Sequence, residues 1–125
     1  MQNQAGQLLR SFQVAFRGIG LMVRSERNAR IHILATLVVV VAGISLEIHR
    51  GEWLAVILAI AAVWSAEAFN SAIEELSDVV SPEKSAGIER TKDIAAGAVL
   101  IAAIAAIAIA TLVFGPHILA SPIFG

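Results

Sequence analysis

Apolar residues recur along this chain in four blocks, and the polar residues between them mark where each helix is expected to end. Leu8, Phe12, Phe16, Ile19 and Val23 fall on one face of a helical period, while Arg10, Arg17 and Arg24 repeat every seven residues on the other. This predicts an amphipathic helix over 6–25, lying on a membrane surface with its arginines among anionic headgroups. A polar junction follows at 25–32. The chain is then almost wholly apolar to 46 or 48. A full span needs about 20 residues, so the first transmembrane helix is expected to borrow residues at its start and to cover 29–48. Residues 47–52 read as a tight turn punctuated by Gly51. Trp53, placed where interfacial tryptophans belong, begins a second span expected over 53–80. Ser81-Pro82 ends it, because proline disfavours helix in the residue before it. Residues 81–91 read as a polar loop. Thr91-Lys92-Asp93 is expected to open a third span over 92–114, stopped by Gly115-Pro116, with 117–125 as a short external tail.

Composition turns this pattern into a class. The chain has 125 residues, 58% of them hydrophobic, with a mean hydropathy of +0.79. That size predicts one domain, 1–125, and that balance an integral membrane protein. The net charge of −1 gives no reason to expect nucleic-acid binding. The absence of cysteine excludes disulfides, thiolate catalysis and cysteine zinc sites. The N-terminus lacks the charged start and apolar run of a cleavable signal peptide, so the first span is expected to direct insertion. Small residues in the third span, among them Ala95, Gly97, Ala102 and Ala106, allow close helix approach in a bundle or oligomer. Five arginines precede the first span, the first turn has Arg50 alone, and the second loop has Lys84, Arg90 and Lys92. The positive-inside rule then places the N-terminus and second loop in the cytoplasm and the C-terminus outside.

The candidate chemistry lies in the second span. At roughly 100° per residue, Glu67, Asn70, Glu74 and Asp78 fall within an arc of about 80°, one narrow face of an otherwise apolar helix. An ionisable group near hydrocarbon costs on the order of 2.5–3.5 kcal/mol, so a stack of acids needs a partner, and a divalent cation with phosphate chemistry is the obvious one. Glu26 and Glu74, at one expected depth on different helices, suit magnesium, which takes one or two carboxylates together with phosphate and water. Their bland readings are a helix-end salt bridge and a solvated interface charge. Glu67 lies about 10 Å deeper than Glu74 at 1.5 Å rise per residue. Apolar neighbours suit it to general-base work, or to being a neutral carboxyl held by another helix. Asn70 would orient Glu67, bind a substrate oxygen, or join two helices. Lys92 is a natural phosphate partner. Asp93 suits a helix N-terminus for dipole reasons alone. His32 and His49 read as interfacial polar residues without a catalytic part. No Gly-rich phosphate loop or soluble-kinase signature is present.

Glu67-Ala-Phe-Asn-Ser-Ala-Ile-Glu74, then Asp78, then Lys92-Asp93 at this spacing resembles the prokaryotic diacylglycerol kinase family, which includes undecaprenol kinases. Ser11-Phe-Gln-Val-Ala-Phe-Arg-Gly18 and Glu26-Arg-Asn-Ala-Arg-Ile-His32 fit it too, so that the likeness covers roughly 8–114. The resemblance implies an all-α homotrimer of three-span subunits, each with an N-terminal surface helix and with sites shared between subunits in a bacterial cell membrane. It implies transfer of the ATP γ-phosphoryl group, with Mg2+, to the primary hydroxyl of a membrane lipid, diacylglycerol or undecaprenol. Carried over by motif, Glu67 would be the general base and Asn70 its support. Glu26 and Glu74 would hold the metal and contact ATP. Lys92 and Asp93 would contact the nucleotide, with Glu83, Lys84 and Ser85 in the loop near it. Val14 and Ala96 stand where the enterobacterial type has tyrosine and serine, so those two contacts are not carried over. The Glu26–His32 stretch looks more like the Gram-positive type. Two readings compete: a proton- or cation-conducting oligomer lined by Glu67 and Asn70, and a non-catalytic assembly factor.

Overall fold

A computed structural model describes residues 3–25 and 28–122. Among them all regular structure is helical: α1 (Gln4–Ser25), α2 (Ala29–Ser45), α3 (Arg50–Val80) and α4 (Ala86–Leu119). At 1.5 Å per residue, α3 and α4 are about 46 and 51 Å long, well beyond the roughly 30 Å of a hydrocarbon core. Both are long and apolar enough to cross a membrane, and α1 with α2 passes the same test as one broken span. The long pair, α3 and α4, forms the frame, and α1 and α2 touch α3 more locally.

The α2–α3 turn is set by backbone bonds. Ile48 N–H donates to Gly43 O at 3.2 Å and Glu47 N–H to Ile44 O at 3.3 Å. This is the paired closure of a Schellman cap, which requires a left-handed residue just past the helix. Glu47 fills that place at φ 50°, although a left-handed non-glycine residue costs about 1–2 kcal/mol. Ile48 offsets it by entering the core with Val56, Val113 and Phe114. Gly43 is required here: an added Cβ would lie 2.7 Å from Trp53 Cη2.

Several helix ends differ from the sequence expectation. α3 begins at Arg50 rather than 53, because the His49 backbone N–H donates to Glu52 Oε1 at 3.0 Å and caps the earlier turn. α4 begins at Ala86 rather than 92. Ser85 Oγ accepts from Ile88 N–H at 3.2 Å, a serine N-cap, so only 81–85 remain between the two long helices. Thr91, Lys92 and Asp93 therefore lie inside α4, not at its start. At the far end α4 runs through Gly115-Pro116 to Leu119. A proline in the last turns removes one donor, and Phe114 in the core with His117 on Glu52 (3.0 Å) holds the turn in place. His117 thus belongs to α4 rather than to a tail. α2 closes at Ser45, short of 48.

Candidate active site

Four polar residues are buried on α3: Glu67, Asn70, Ser71 and Ser77, with Glu67 only 4% exposed. Ser71 Oγ donates to Glu67 O at 2.9 Å, which satisfies the hydroxyl inside the helix. The Glu67 carboxyl has a partner on α2: His32 Nε2 lies 2.6 Å from Glu67 Oε1. Thr36, one turn further along α2, donates to the His32 carbonyl at 2.7 Å and accepts from Trp64 Nε1–H at 3.0 Å. The Trp64 ring tilts over the imidazole, with centroids 6.0 Å apart. His32 is therefore not the unengaged interfacial residue that its polar neighbours suggest. It links α2 to the most buried acid of α3.

Among the described residues Asn70 Oδ1 is buried with no hydrogen-bond partner. A buried acceptor in that state costs about 1–3 kcal/mol, which calls for a donor from beyond those residues. Beyond it α3 emerges from cover. Glu74 and Asp78 are exposed. Lys92 Nζ donates to Asp78 Oδ1 at 2.7 Å across the α3–α4 contact, and the Glu74 charge also acts on this ammonium. Asp93 is exposed beside it, as are Glu83, Lys84 and Ser85 in the short connection. Glu26 lies outside the described residues.

The structure thus gathers the predicted residues into two groups on one end of the α3–α4 pair. Glu67 and Asn70 lie below, in cover. Glu74 and Asp78 lie above, exposed, with the half-buried Lys92, and among the described residues no bond joins the groups. Among the described residues no three His, Asp or Glu side chains converge as a ready-made metal cage. An apolar groove of about 100 Å³ leads from His32, Thr36 and Trp64 between α2, α3 and α4 toward Phe114.

Fold and site define a small helical membrane protein that carries a buried carboxyl–imidazole pair beneath an exposed acidic and basic surface. The chain belongs to the prokaryotic diacylglycerol kinase family, whose model matches residues 13–114. It is 33% identical over 117 residues to the undecaprenol kinase of Bacillus subtilis (strain 168), covering 94% of this chain and 95% of that one. It is 32% identical over 116 residues to the diacylglycerol kinase of a Synechocystis strain, covering 92% of this chain and 66% of that protein. Membership makes it a prokaryotic lipid kinase, an enzyme that uses ATP.

Proposed function

We propose that this enzyme transfers the γ-phosphoryl group of ATP to the primary hydroxyl of a membrane lipid alcohol, either undecaprenol or diacylglycerol. The observation that carries the reading is the buried Glu67 carboxyl, held at 2.6 Å by His32, which itself lines an apolar groove between the helices. The lipid chain lies along that groove and brings its hydroxyl to Glu67. Glu67 takes the hydroxyl proton, and the oxygen forms its bond to the γ-phosphorus as ADP leaves. Positioning and electrostatics are most of what phosphoryl transfer asks of a protein. Asn70, with its free carbonyl oxygen, accepts a hydrogen bond from the acceptor lipid or a neighbouring subunit.

The exposed group binds the nucleotide. Lys92 contacts phosphate, Asp93 and the 83–85 connection flank it, and Glu74 with Glu26 holds magnesium. Magnesium supplies charge neutralisation across the β- and γ-phosphates. The arginines of the N-terminal helix suit cytoplasmic headgroups, and with that helix resting there this end of α3 and α4 would face the cytoplasm and the C-terminus the outside. The unpartnered Asn70 and the exposed apolar helix faces support a homotrimer in which subunits share sites.

Purified protein in mixed micelles, with labelled ATP and magnesium, should label one of the two alcohols. The fuller match to an undecaprenol kinase makes that lipid the first to offer. Glu67→Gln should reduce transfer by at least about 100-fold, the usual range for a lost general base. Labelling of neither lipid by an assembled oligomer would overturn the assignment of these acceptors.

A further inference from the structure

The scheme above uses His32 only as the partner of Glu67, and its Nε2 lies closer to that carboxyl than the 3.0 Å that separates Trp64 and Thr36, another polar pair joining α2 and α3. An ionised carboxylate only accepts hydrogen bonds. For Glu67 to serve as a base it must start ionised, so the nitrogen facing Oε1 must carry a proton. An ionised Glu67 thus requires the form of His32 in which Nε2–H donates to Oε1. The two side chains are 18% and 5% exposed, so water has little access to compete for this bond. The tilted Trp64 ring lies beside the imidazole. A glutamate has three rotatable side-chain bonds, and nothing else bonded to its carboxyl among the described residues selects one orientation.

We propose that His32 is a positioning residue for phosphoryl transfer: by tethering Oε1 it leaves Oε2 as the one oxygen presented to the lipid hydroxyl. This rests on Glu67 being the base. In the step, the hydroxyl proton passes to Oε2 and the hydroxyl oxygen's electron pair forms the new bond to γ-phosphorus. The bond from that phosphorus to the bridging oxygen breaks, and ADP departs with its electrons. His32 keeps its proton throughout. Without the tether the carboxylate is misplaced by an ångström or so, which slows a step of this kind by about 100-fold and leaves nucleotide binding alone.

The test uses full-length protein in mixed micelles with the lipid alcohol that wild type labels. Assembly of each variant is checked by its elution from a sizing column. His32→Leu should lower kcat by about 10–100-fold while the KM for ATP stays within about twofold. His32→Gln, which returns an N–H at similar reach, should recover kcat to within about threefold of wild type. His32→Asn carries the same amide one methylene short and should remain slow; it decides the matter if the leucine variant fails to assemble. A kcat for His32→Leu near the wild-type value, or a glutamine variant as slow as the leucine or asparagine one, overturns the tether. If wild type labels lipid and Glu67→Gln does so equally well, Glu67 is not the base, and the inference falls with that reading rather than on its own.

Discussion

Lys92 shows how a single side chain can matter more for binding than for folding. Its bond to Asp78 is 2.7 Å, but the two side chains are 34% and 69% exposed. Pairs of that kind contribute about 0–1 kcal/mol to stability. Their effect here is to hold an ammonium where α3 and α4 meet, beside Glu74. A hydrogen bond to a charged group contributes about 1.5–3 kcal/mol when its partner is bound. Lys92→Met should therefore raise the KM for ATP by about tenfold or more, with thermal stability nearly unchanged. An unaltered KM would remove Lys92 from the proposed nucleotide site. Glu67 was legible in the sequence because a carboxyl inside an apolar run needs a reason to be there. His32 was not, because polar residues at the mouth of a span are ordinary and its partner is 35 positions away. Depth was the available signal. Counted from the α2–α3 turn, His32 is 13 residues back and Glu67 17 forward, about 20 and 26 Å of helix.

At the level of elements, the turn between α2 and α3 and the start of α4 carry the lesson. Gly43 permits the Trp53 ring to lie against α2, and a methyl there would meet ring atoms at 2.7 and 2.9 Å. Alanine gains about 0.5–1 kcal/mol of helix propensity over glycine, but overpacking costs about 1–3. The clash wins, so Gly43→Ala should lower the melting temperature in detergent. A rise would mean that the Trp53 ring turns aside freely. The helical blocks themselves were readable from the apolar pattern, because backbone groups in lipid have to bond within the segment. Helix ends were less so. The polar stretch after Pro82 reads as loop by composition, yet one serine cap at Ser85 suffices to start α4 there. Gly115-Pro116 reads as a stop, yet packing of Phe114 and the His117–Glu52 contact carry the helix through it.

The whole chain buries few side chains and leaves apolar residues exposed on every helix, for example Phe16, Leu37, Leu58 and Ile107. Such faces need lipid or other subunits. The trimer proposed above predicts a protein mass in mild detergent of about three times the 13.2 kDa of one chain, measured by light scattering with the detergent contribution subtracted. A single-chain mass in preparations that transfer phosphate would refute shared sites. Neither the sequence pattern nor one chain's geometry shows that assembly.

α3 is about 46 Å long and crosses a layer of about 30 Å. A rod that overshoots the layer lets one rigid body reach two phases at once. In the proposed reaction its exposed acids meet a water-soluble nucleotide, while Glu67, two turns lower, meets an alcohol that never leaves the membrane. The donor is then counted per litre and the acceptor per unit of membrane area. Spreading a fixed amount of the lipid alcohol through more bilayer slows the enzyme, although nothing in the tube has been diluted.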